Sequence, residues 1–454
     1  MSYRTTNPAT GEVLTEYPNQ SDEALFAALK TADERYRNDW KWRPVAERAR
    51  YVARAAALLR ERREEYARLM TMEMGKVISQ AYFEVDFTAD ILDYYARNGE
   101  AFLKDRELAE APGATIVTEP IGVILAIEPW NFPYYQIARV AAPQIVAGNV
   151  LMMKQASSVP QAALAFARLF EEAGTPEGVY TNIFCGPDGI ASLIDDFRVR
   201  GVTLTGSERA GAAVAERAGR HLKKVVLELG GSDPALILED APLDLVLEQC
   251  VPGRMMSTGQ ACASIKRMIV VGRERGERIL ARLVESYANL TVGDPNDSAS
   301  AVGPVVSESA LQGLLAQVEK AVKAGATLVA GGRRIDRPGY FMEPTILADI
   351  AEDNPIFQEE LFGPVLSYYV VDSEEEAIRV ANATRFGLGS SVFSADIDHA
   401  QALARRIEAG MVFINSYINS GPEVPFGGVK NSGFGRELSE LGIGEFVNKK
   451  LVRV

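Results

Sequence analysis

Cys262 is the residue whose type best suits nucleophilic chemistry in this sequence, because a thiolate is an intrinsically strong nucleophile. It follows residues 257–261 (STGQA), whose small side chains and glycine predict a tight turn. Such a turn could lead into a helix N-terminus, which would lower the pKa of the thiol without a histidine. A single cysteine is also commonly a small buried apolar residue, so a packing role stays open.

Glu228 and Asn131 are two polar residues that closely follow apolar runs. Glu228 ends the run VVLE at 225–228, where burial would raise the pKa of its carboxyl group and make it a better base near neutral pH. A buried, ion-paired glutamate is the alternative. Asn131 comes shortly after the run GVILAI at 122–127 and could donate its amide to a developing oxyanion, or could simply form a turn.

A glycine-containing segment, GSERAG at 206–211, follows the apolar run VTLT and precedes a predicted helix. A strand, a glycine and a helix start in this order can present backbone N–H groups to a phosphate. The segment matches neither G-x-G-x-x-G nor a P-loop, so on its own it is a weak indication of a nucleotide site.

These residues need a framework of short apolar strands that alternate with helices, which predicts an α/β fold with a parallel, twisted sheet. The first hundred residues are predicted to be mainly helical, and two α/β units follow in series with a boundary near residue 230. Predicted strands occupy 114–119, 122–127, 149–153, 179–184, 201–205, 225–229, 234–238 and 268–271, and an extended tail occupies 446–454. Predicted helices occupy 160–173, 209–221, 243–250, 275–288, 309–324 and 374–383.

The composition excludes several classes of function. The 454 residues carry 48 basic and 61 acidic side chains, a net charge of −13, which argues against nucleic-acid or anionic-membrane binding. The three cysteines do not form a disulfide framework, and two histidines make a metal site unexpected. The N-terminus does not resemble a signal peptide, and no run of about 18 apolar residues occurs, so we expect a cytoplasmic protein.

Taken together, the motifs resemble the aldehyde dehydrogenase superfamily, in family order over nearly the whole chain. The opening NPATGE at 7–12 also looks like the start of that family. The matching segments are PWNFP (129–133), MKQAS (153–157), TGS (205–207), LELGG (227–231), GQAC (259–262), ELFGP (360–364), PFGGVK (425–430) and SG (432–433).

The resemblance implies a role for each matched catalytic residue. Cys262 would be the nucleophile, Asn131 and the Cys262 backbone N–H would form the oxyanion hole, and Glu228 would activate the water that releases the acid.

The resemblance also implies a bound NAD(P). Lys154 would bind the adenosine ribose or its phosphate, and Glu360 would hold the nicotinamide ribose. The remaining cofactor-binding set comprises Gly206 and Ser207 along the pyrophosphate, Phe362 beside the nicotinamide, Pro129 and Trp130 in the channel, and also Ser157, Gly211 and Leu229.

The family fold implies a Rossmann-like cofactor domain, a catalytic α/β domain and a small β oligomerisation element. By resemblance, the cofactor domain would span 1–101 and 121–230, the catalytic domain 231–430, and the oligomerisation element 102–120 and 431–454. A homodimer or homotetramer is therefore expected.

Within that family, the sequence as a whole is most similar to the branch that acts on succinate semialdehyde. Arg139 stands where that branch carries a carboxylate-binding arginine, and Ser420 could assist it, although a helix-surface arginine is the alternative. The branch often has a second arginine where this chain has Met256, and Arg254 could replace it. Ser264 stands where some members carry a second cysteine, so no disulfide switch of that form is expected.

Cofactor choice is predicted from Ser157, three residues after Lys154. Many NAD-using members have an acid there, which would repel a 2′-phosphate, whereas a serine hydroxyl can donate to one. We therefore expect NADP to be used at least as well as NAD. Alternatives for the function are oxidation of another short-chain or aromatic aldehyde, acyl transfer without redox, and a catalytically dead binding or structural homologue.

Overall fold

The structure is a computed structural model that describes residues 3–454. It contains two large sheets, a helical layer, a small three-stranded sheet and an N-terminal hairpin. No helix within residues 3–454 combines the length and apolar character that crossing a membrane requires.

The first sheet has six strands, which are β5 (Val123–Glu128), β6 (Val150–Gln155), β7 (Tyr180–Asn182), β8 (Val199–Thr205), β9 (Lys224–Glu228) and β17 (Gly433–Phe434). They are parallel except for the short edge strand β17. Their order is β17-β9-β8-β5-β6-β7. The chain therefore adds β6 and β7 on one side of β5 and then β8 and β9 on the other side. In doubly wound sheets, ligands bind at the carboxyl ends of the strands beside such a reversal.

Helices cover both faces of the first sheet, which explains why its central strands are apolar on both sides. The helices are α1 (Asp22–Asn38), α2 (Val45–Glu61), α3 (Arg63–Met74), α4 (Ile78–Phe102), α5 (Tyr135–Ala147), α6 (Pro160–Glu172), α7 (Pro187–Asp195) and α8 (Glu208–Arg220). The long helix α4 packs against α2 and α5 in this layer.

The second sheet has seven strands, which are β10 (Asp233–Ile237), β11 (Ile265–Val271), β12 (Thr327–Ala330), β13 (Thr345–Ala348), β14 (Val365–Val371), β15 (Gly389–Phe393) and β16 (Met411–Ile414). Their order is β12-β13-β14-β11-β10-β15-β16, parallel except for β12. The accompanying helices are α9 (Leu243–Met255), α10 (Arg273–Ala288), α11 (Glu308–Lys323), α12 (Glu374–Asn382) and α13 (Ile397–Ala404). The chain passes from the carboxyl end of β9 directly to the amino end of β10. The carboxyl edge of the first sheet therefore faces the amino edge of the second sheet.

The small sheet joins distant segments of the chain. Its strands are β3 (Arg106–Glu107), β4 (Ala114–Pro120) and β18 (Val447–Arg453), and the short helix α14 (Ser439–Gly444) precedes β18. The order is β18-β4-β3, with β18 antiparallel to β4 along its whole length.

The predicted α/β class and the change of unit near residue 230 are confirmed, with most element ends within a few residues. The first hundred residues are mainly helical, as predicted, although they begin with an antiparallel hairpin of β1 (Tyr3–Thr6) and β2 (Val13–Tyr17) that was not predicted. The strand predicted at 179–184 is shorter in the structure, where β7 spans Tyr180–Asn182. The domain bounds stay a prediction, and β17, from the predicted oligomerisation element, pairs with β9 of the first sheet.

Candidate active site

The three predicted catalytic residues converge where the two large sheets face each other. Glu228 is the last residue of β9, Asn131 lies in the loop after β5, and Cys262 lies just before β11. A Cβ atom on Gly231 would lie 2.6 Å from the carbonyl oxygen of Cys262, so only glycine allows the nucleophile segment to approach the β9–β10 connection this closely.

The turn before Cys262 has an unusual backbone. Ser257, Thr258 and Gly259 have φ values of 53°, 59° and 74°, all in the left-handed region. Gly259 is required, since a Cβ atom there would lie 2.2 Å from the carbonyl oxygen of Gly363. Left-handed non-glycine residues persist only where their surroundings hold them, and here the Ser257 N–H donates to Oε1 of Gln80 at 2.6 Å.

Cys262 is half-buried, and the net effect of its surroundings is to raise the pKa of its thiol. Burial raises that pKa to about 11, although the positive charges of Arg139 and Lys266 act in the opposite direction. The predicted helix N-terminus was wrong, because the segment after Cys262 leads into β11. The thiol therefore depends on neighbouring cations and on a base rather than on a helix dipole.

Asn131 is buried and lies against the nucleophile segment. Its Nδ2 donates to the carbonyl oxygen of Gln260 at 2.9 Å. An amide has two N–H donors, so one remains for an oxygen bound beside Cys262. The loop that carries Asn131 is thus both a turn and a donor next to the thiol.

Glu228 is 2% exposed, and neither of its carboxylate oxygens has a hydrogen-bond partner within residues 3–454. The ion-paired alternative is therefore wrong. Burial raises the pKa of Glu228 well above its usual range, and the carboxylate of Glu437 acts in the same direction. Gly427 leaves space beside it, since a Cβ atom there would lie 2.7 Å from Oε1 of Glu228.

Arg139 is fully buried on α5, which excludes the alternative of a helix-surface arginine. Its Nε lies 2.6 Å from Oε2 of Glu437, and its guanidinium also contacts the rings of Tyr135 and Phe426 at 4.8 and 4.4 Å. Nη1 lies 3.5 Å from the Tyr135 hydroxyl, a long contact that leaves that face of the guanidinium weakly bonded.

Ser420 and Glu128 add two buried polar groups around Arg139. The Ser420 hydroxyl oxygen is buried near Tyr135 without a well-directed hydrogen bond to the described residues. Glu128 ends β5, and burial together with the Glu437 carboxylate raises the pKa of its carboxyl group well above the usual range. The positive charge of Arg139 thus acts on several buried carboxyl groups and favours their ionised forms.

Arg254 does not reach this cluster. It is fully buried, and its guanidinium donates to Oγ of Ser264 at 2.7 Å. Its other acceptors are four backbone carbonyl oxygens, those of Gly259, Leu361, Gly363 and Val365. These bonds tie the nucleophile turn to the loop before β14, so Arg254 has no free donor for a substrate carboxylate.

The predicted adenosine-binding residues lie at the carboxyl end of β6. Lys154 is partly buried there, and its ammonium forms no ion pair within residues 3–454, so its charge is available to a phosphate. Ser157 lies in the loop that follows and lines a cleft of about 600 Å³ together with Arg4. A lysine without an ion pair among residues 3–454, followed three residues later by a serine, fits a cofactor that carries a 2′-phosphate.

The predicted pyrophosphate segment has the expected geometry. Gly206 follows β8, and Ser207 caps α8 by accepting from the Ala210 N–H at 3.3 Å. Gly211 packs against Leu229, since a Cβ atom there would lie 2.6 Å from Cδ2 of Leu229. Gly211 and Leu229 thus bring the start of α8 close to the end of β9, and their contact with a cofactor stays a prediction.

The residues predicted to lie nearer the nicotinamide are in the loops after β5 and before β14. Oε1 of Glu360 accepts from the Gly231 N–H at 3.0 Å and lies 3.1 Å from Nζ of Lys266. The rings of Trp130, which follows Pro129, and Phe362 meet edge-to-face with centroids 5.8 Å apart. This arrangement fits a cofactor that extends from the first sheet toward Cys262.

Sequence reasoning missed a buried ion pair beneath the Asn131 loop. Lys76 and Glu84 are 1% and 2% exposed and form a salt bridge. Oε1 of Glu84 also accepts from the backbone N–H groups of Tyr134 and Tyr135 at 3.0 and 3.2 Å, and therefore anchors the end of the loop that carries Asn131. Charged residues in the amphipathic helical region gave no local signal of this role.

Comparison with known proteins identifies the family to which the chain is similar. The model of the aldehyde dehydrogenase family matches residues 1–452. The NADP(+) succinate-semialdehyde dehydrogenase of Deinococcus radiodurans is 48% identical over 99% of this chain and 94% of its own length. The NAD(P)+ succinate semialdehyde dehydrogenase of Escherichia coli is 43% identical over 98% of this chain and 96% of its own length.

A solved structure is similarly close. The succinic semialdehyde dehydrogenase of Streptococcus pyogenes, solved in complex with NADP+, is 45% identical, covers 100% of this chain and 99% of its own, and superposes with a TM-score of 0.97. Full-length matches at this identity establish shared ancestry as well as a shared fold. The chain belongs to the aldehyde dehydrogenase family.

Proposed function

We propose that this chain oxidises succinate semialdehyde to succinate with NADP as the preferred cofactor. The observation that carries the proposal is the convergence of three groups where the two large sheets face each other. They are the Cys262 thiol, the Asn131 amide and the Glu228 carboxylate, which has no hydrogen-bond partner within the described residues. The names of the similar proteins from Deinococcus radiodurans and Streptococcus pyogenes support the choice of substrate and cofactor.

In the proposed mechanism, the Cys262 thiolate attacks the aldehyde carbon. Because burial raises the pKa of this thiol to about 11, it must lose its proton to a base, and Arg139 and Lys266 favour the resulting anion. The free N–H of Asn131 and the backbone N–H of Cys262 stabilise the negative oxygen. Losing one such donor costs about 3 kcal/mol, or roughly 10²-fold in rate.

Bound NADP would supply the hydride acceptor for this oxidation, and Cys262 would keep the acyl group as a thioester. Lys154 and Ser157 would hold the 2′-phosphate, Gly206 and Ser207 the pyrophosphate, and Glu360 the nicotinamide ribose.

Glu228 completes the proposed cycle as a general base. It takes a proton from water, the hydroxide attacks the thioester carbon, and the C–S bond breaks. Glu228 then returns the proton to the leaving thiolate, so that the carboxylic acid and the Cys262 thiol are released. A carboxylate without a hydrogen-bond partner among residues 3–454 suits this role, because no hydrogen bond must break before it accepts the proton.

Arg139 supports the choice of a substrate that ends in a carboxylate. Its Nη1 atom faces the Tyr135 hydroxyl at 3.5 Å, close to Ser420, while its Nε is held by Glu437. One edge of the guanidinium is therefore fixed, and the other can bind a carboxylate.

A second candidate substrate is an uncharged short-chain or aromatic aldehyde. The observation that favours it is the Arg139–Glu437 pair itself, since an arginine that already has a buried counterion attracts a second carboxylate less strongly. Phe426 and Tyr135 would give such a substrate apolar contacts.

The experiment is a panel of succinate semialdehyde, glutarate semialdehyde, butanal and benzaldehyde, each with NADP and with NAD. The proposal expects the highest kcat/KM for succinate semialdehyde with NADP. A preference for butanal or benzaldehyde would favour the second candidate. No turnover with any aldehyde would indicate a catalytically dead homologue, and ester hydrolysis alone would indicate acyl transfer without redox.

We also propose that the protein is a cytoplasmic homodimer or homotetramer whose copies meet through the small sheet. Its strand β18 exposes Leu451 and Val452, which are 58% and 48% exposed. Apolar side chains on an open sheet favour a protein contact. Sedimentation of the wild type and of Leu451→Lys tests this; an unchanged assembly in the variant would contradict it.

A further inference from the structure

Lys266 is a buried lysine that contacts both the Cys262 segment and the Glu360 carboxylate. It lies at the start of β11 and is 1% exposed. Its Nζ donates to the carbonyl oxygens of Ala261 at 2.8 Å and Cys262 at 2.5 Å, and lies 3.1 Å from Oε1 of Glu360. An ammonium has three N–H donors, so these partners use all of them.

A second set of contacts also joins the Glu360 carboxylate to the Cys262 segment. Oε1 of Glu360, which meets Lys266, also accepts from the Gly231 N–H, and Gly231 in turn packs against the Cys262 carbonyl. Movement of the Glu360 carboxylate would therefore change the partners of Lys266, and with them the support of the nucleophile segment.

We propose that Lys266 is a positioning residue that couples the Cys262 segment to the Glu360 carboxylate and favours the Cys262 thiolate by its charge. This inference rests on the proposed roles of Cys262 and Glu360. It assigns to Lys266 a part in nucleophile reactivity that exists before any cofactor binds.

The charges around the thiol give the direction of the effect. Burial raises the pKa of Cys262, Arg139 on α5 and Lys266 on β11 lower it, and Glu360 before β14 and Asp233 on β10 raise it. Removing Lys266 should therefore raise the pKa of the thiol, whereas removing the charge of Glu360 should lower it. Opposite shifts from two partners are not expected of a merely structural lysine.

The test measures alkylation of Cys262 by iodoacetamide in cofactor-free enzyme, from neutral to alkaline pH, with the modified peptide identified by mass spectrometry. For Lys266→Met we expect a midpoint at higher pH and roughly tenfold slower alkylation at neutral pH, the size expected for one lost neighbouring charge. For Glu360→Gln we expect a midpoint at lower pH.

A matched control is available on the same strand. Arg267 is also buried, and it donates to the carbonyl oxygens of Ser232, Val380 and Ala381 instead of to the nucleophile segment. Arg267→Met should lower the urea concentration at half-unfolding without moving the alkylation midpoint.

An unchanged midpoint in folded Lys266→Met would overturn the inference. If Lys266→Met does not fold, an unchanged or raised midpoint in Glu360→Gln would overturn it instead. Failure of the proposed function is a separate outcome, because it would appear as aldehyde oxidation by Cys262→Ala, whatever the alkylation profiles show.

Discussion

Replacing Arg139 with alanine should have two separable effects, one on substrate choice and one on stability. Losing a charge-assisted bond to the substrate carboxylate costs about 1.5–3 kcal/mol, or roughly 10- to 150-fold in kcat/KM for succinate semialdehyde. Butanal has no carboxylate and should lose much less. In the structure, however, Arg139 is also the buried counterion of Glu437, with 2.6 Å between Nε and Oε2.

The stability effect follows from that ion pair. Removing one partner of a buried pair costs about 3–5 kcal/mol, because the remaining charge is left without compensation. The double variant Arg139→Ala/Glu437→Gln removes both charges and should recover part of the free energy of unfolding. It should not recover the discrimination between succinate semialdehyde and butanal.

The assay therefore combines kcat/KM for both aldehydes with urea unfolding of wild type, single variant and double variant. Equal loss of kcat/KM for the two aldehydes would refute a role in carboxylate recognition and would leave Arg139 as a structural residue. Recovery of discrimination in the double variant would refute it as well.

Three further predictions concern the base, the cofactor and the Asn131 loop. Glu228→Gln should leave a pre-steady-state burst of reduced cofactor but slow the following phase by about 10²–10⁴-fold, and loss of the burst would indicate another role. Since the pKa of Glu228 is raised and the base must be ionised, kcat of the wild type should fall as the pH drops through that raised value, and the variant should lack this limb. Ser157→Glu should shift the kcat/KM ratio from NADP toward NAD with kcat for NAD largely kept; an unchanged ratio would mean that other residues recognise the 2′-phosphate. Glu84→Ala should lower kcat on the order of 10-fold with little change in KM for NADP, because the Asn131 loop loses its anchor; unchanged kcat would contradict this role.

The α/β fold and the edge at which the site lies could be predicted from the sequence, because both depend on local patterns. Apolar runs that end at Glu228 and shortly before Asn131 are visible in the sequence, and parallel strands bring their carboxyl ends to one edge. The positions of the predicted cofactor residues followed from the family resemblance rather than from spacing.

Contacts between segments that are far apart in the chain could not be predicted. The Arg139–Glu437 pair joins α5 to the segment before α14, and no local pattern indicates it. The raised pKa of Cys262 was missed for a related reason. Burial by surrounding elements decides that pKa, whereas the residues beside Cys262 suggested only a tight turn.

Trapping the acyl-enzyme tests the proposed roles of Cys262 and Glu228 together. Glu228→Gln is mixed with succinate semialdehyde and NADP, quenched with acid after the burst, digested and examined by mass spectrometry. We expect one succinyl group on the peptide that contains Cys262. A succinyl group on Cys185 or Cys250, or a burst of reduced cofactor with no acylated peptide, would contradict the proposed mechanism.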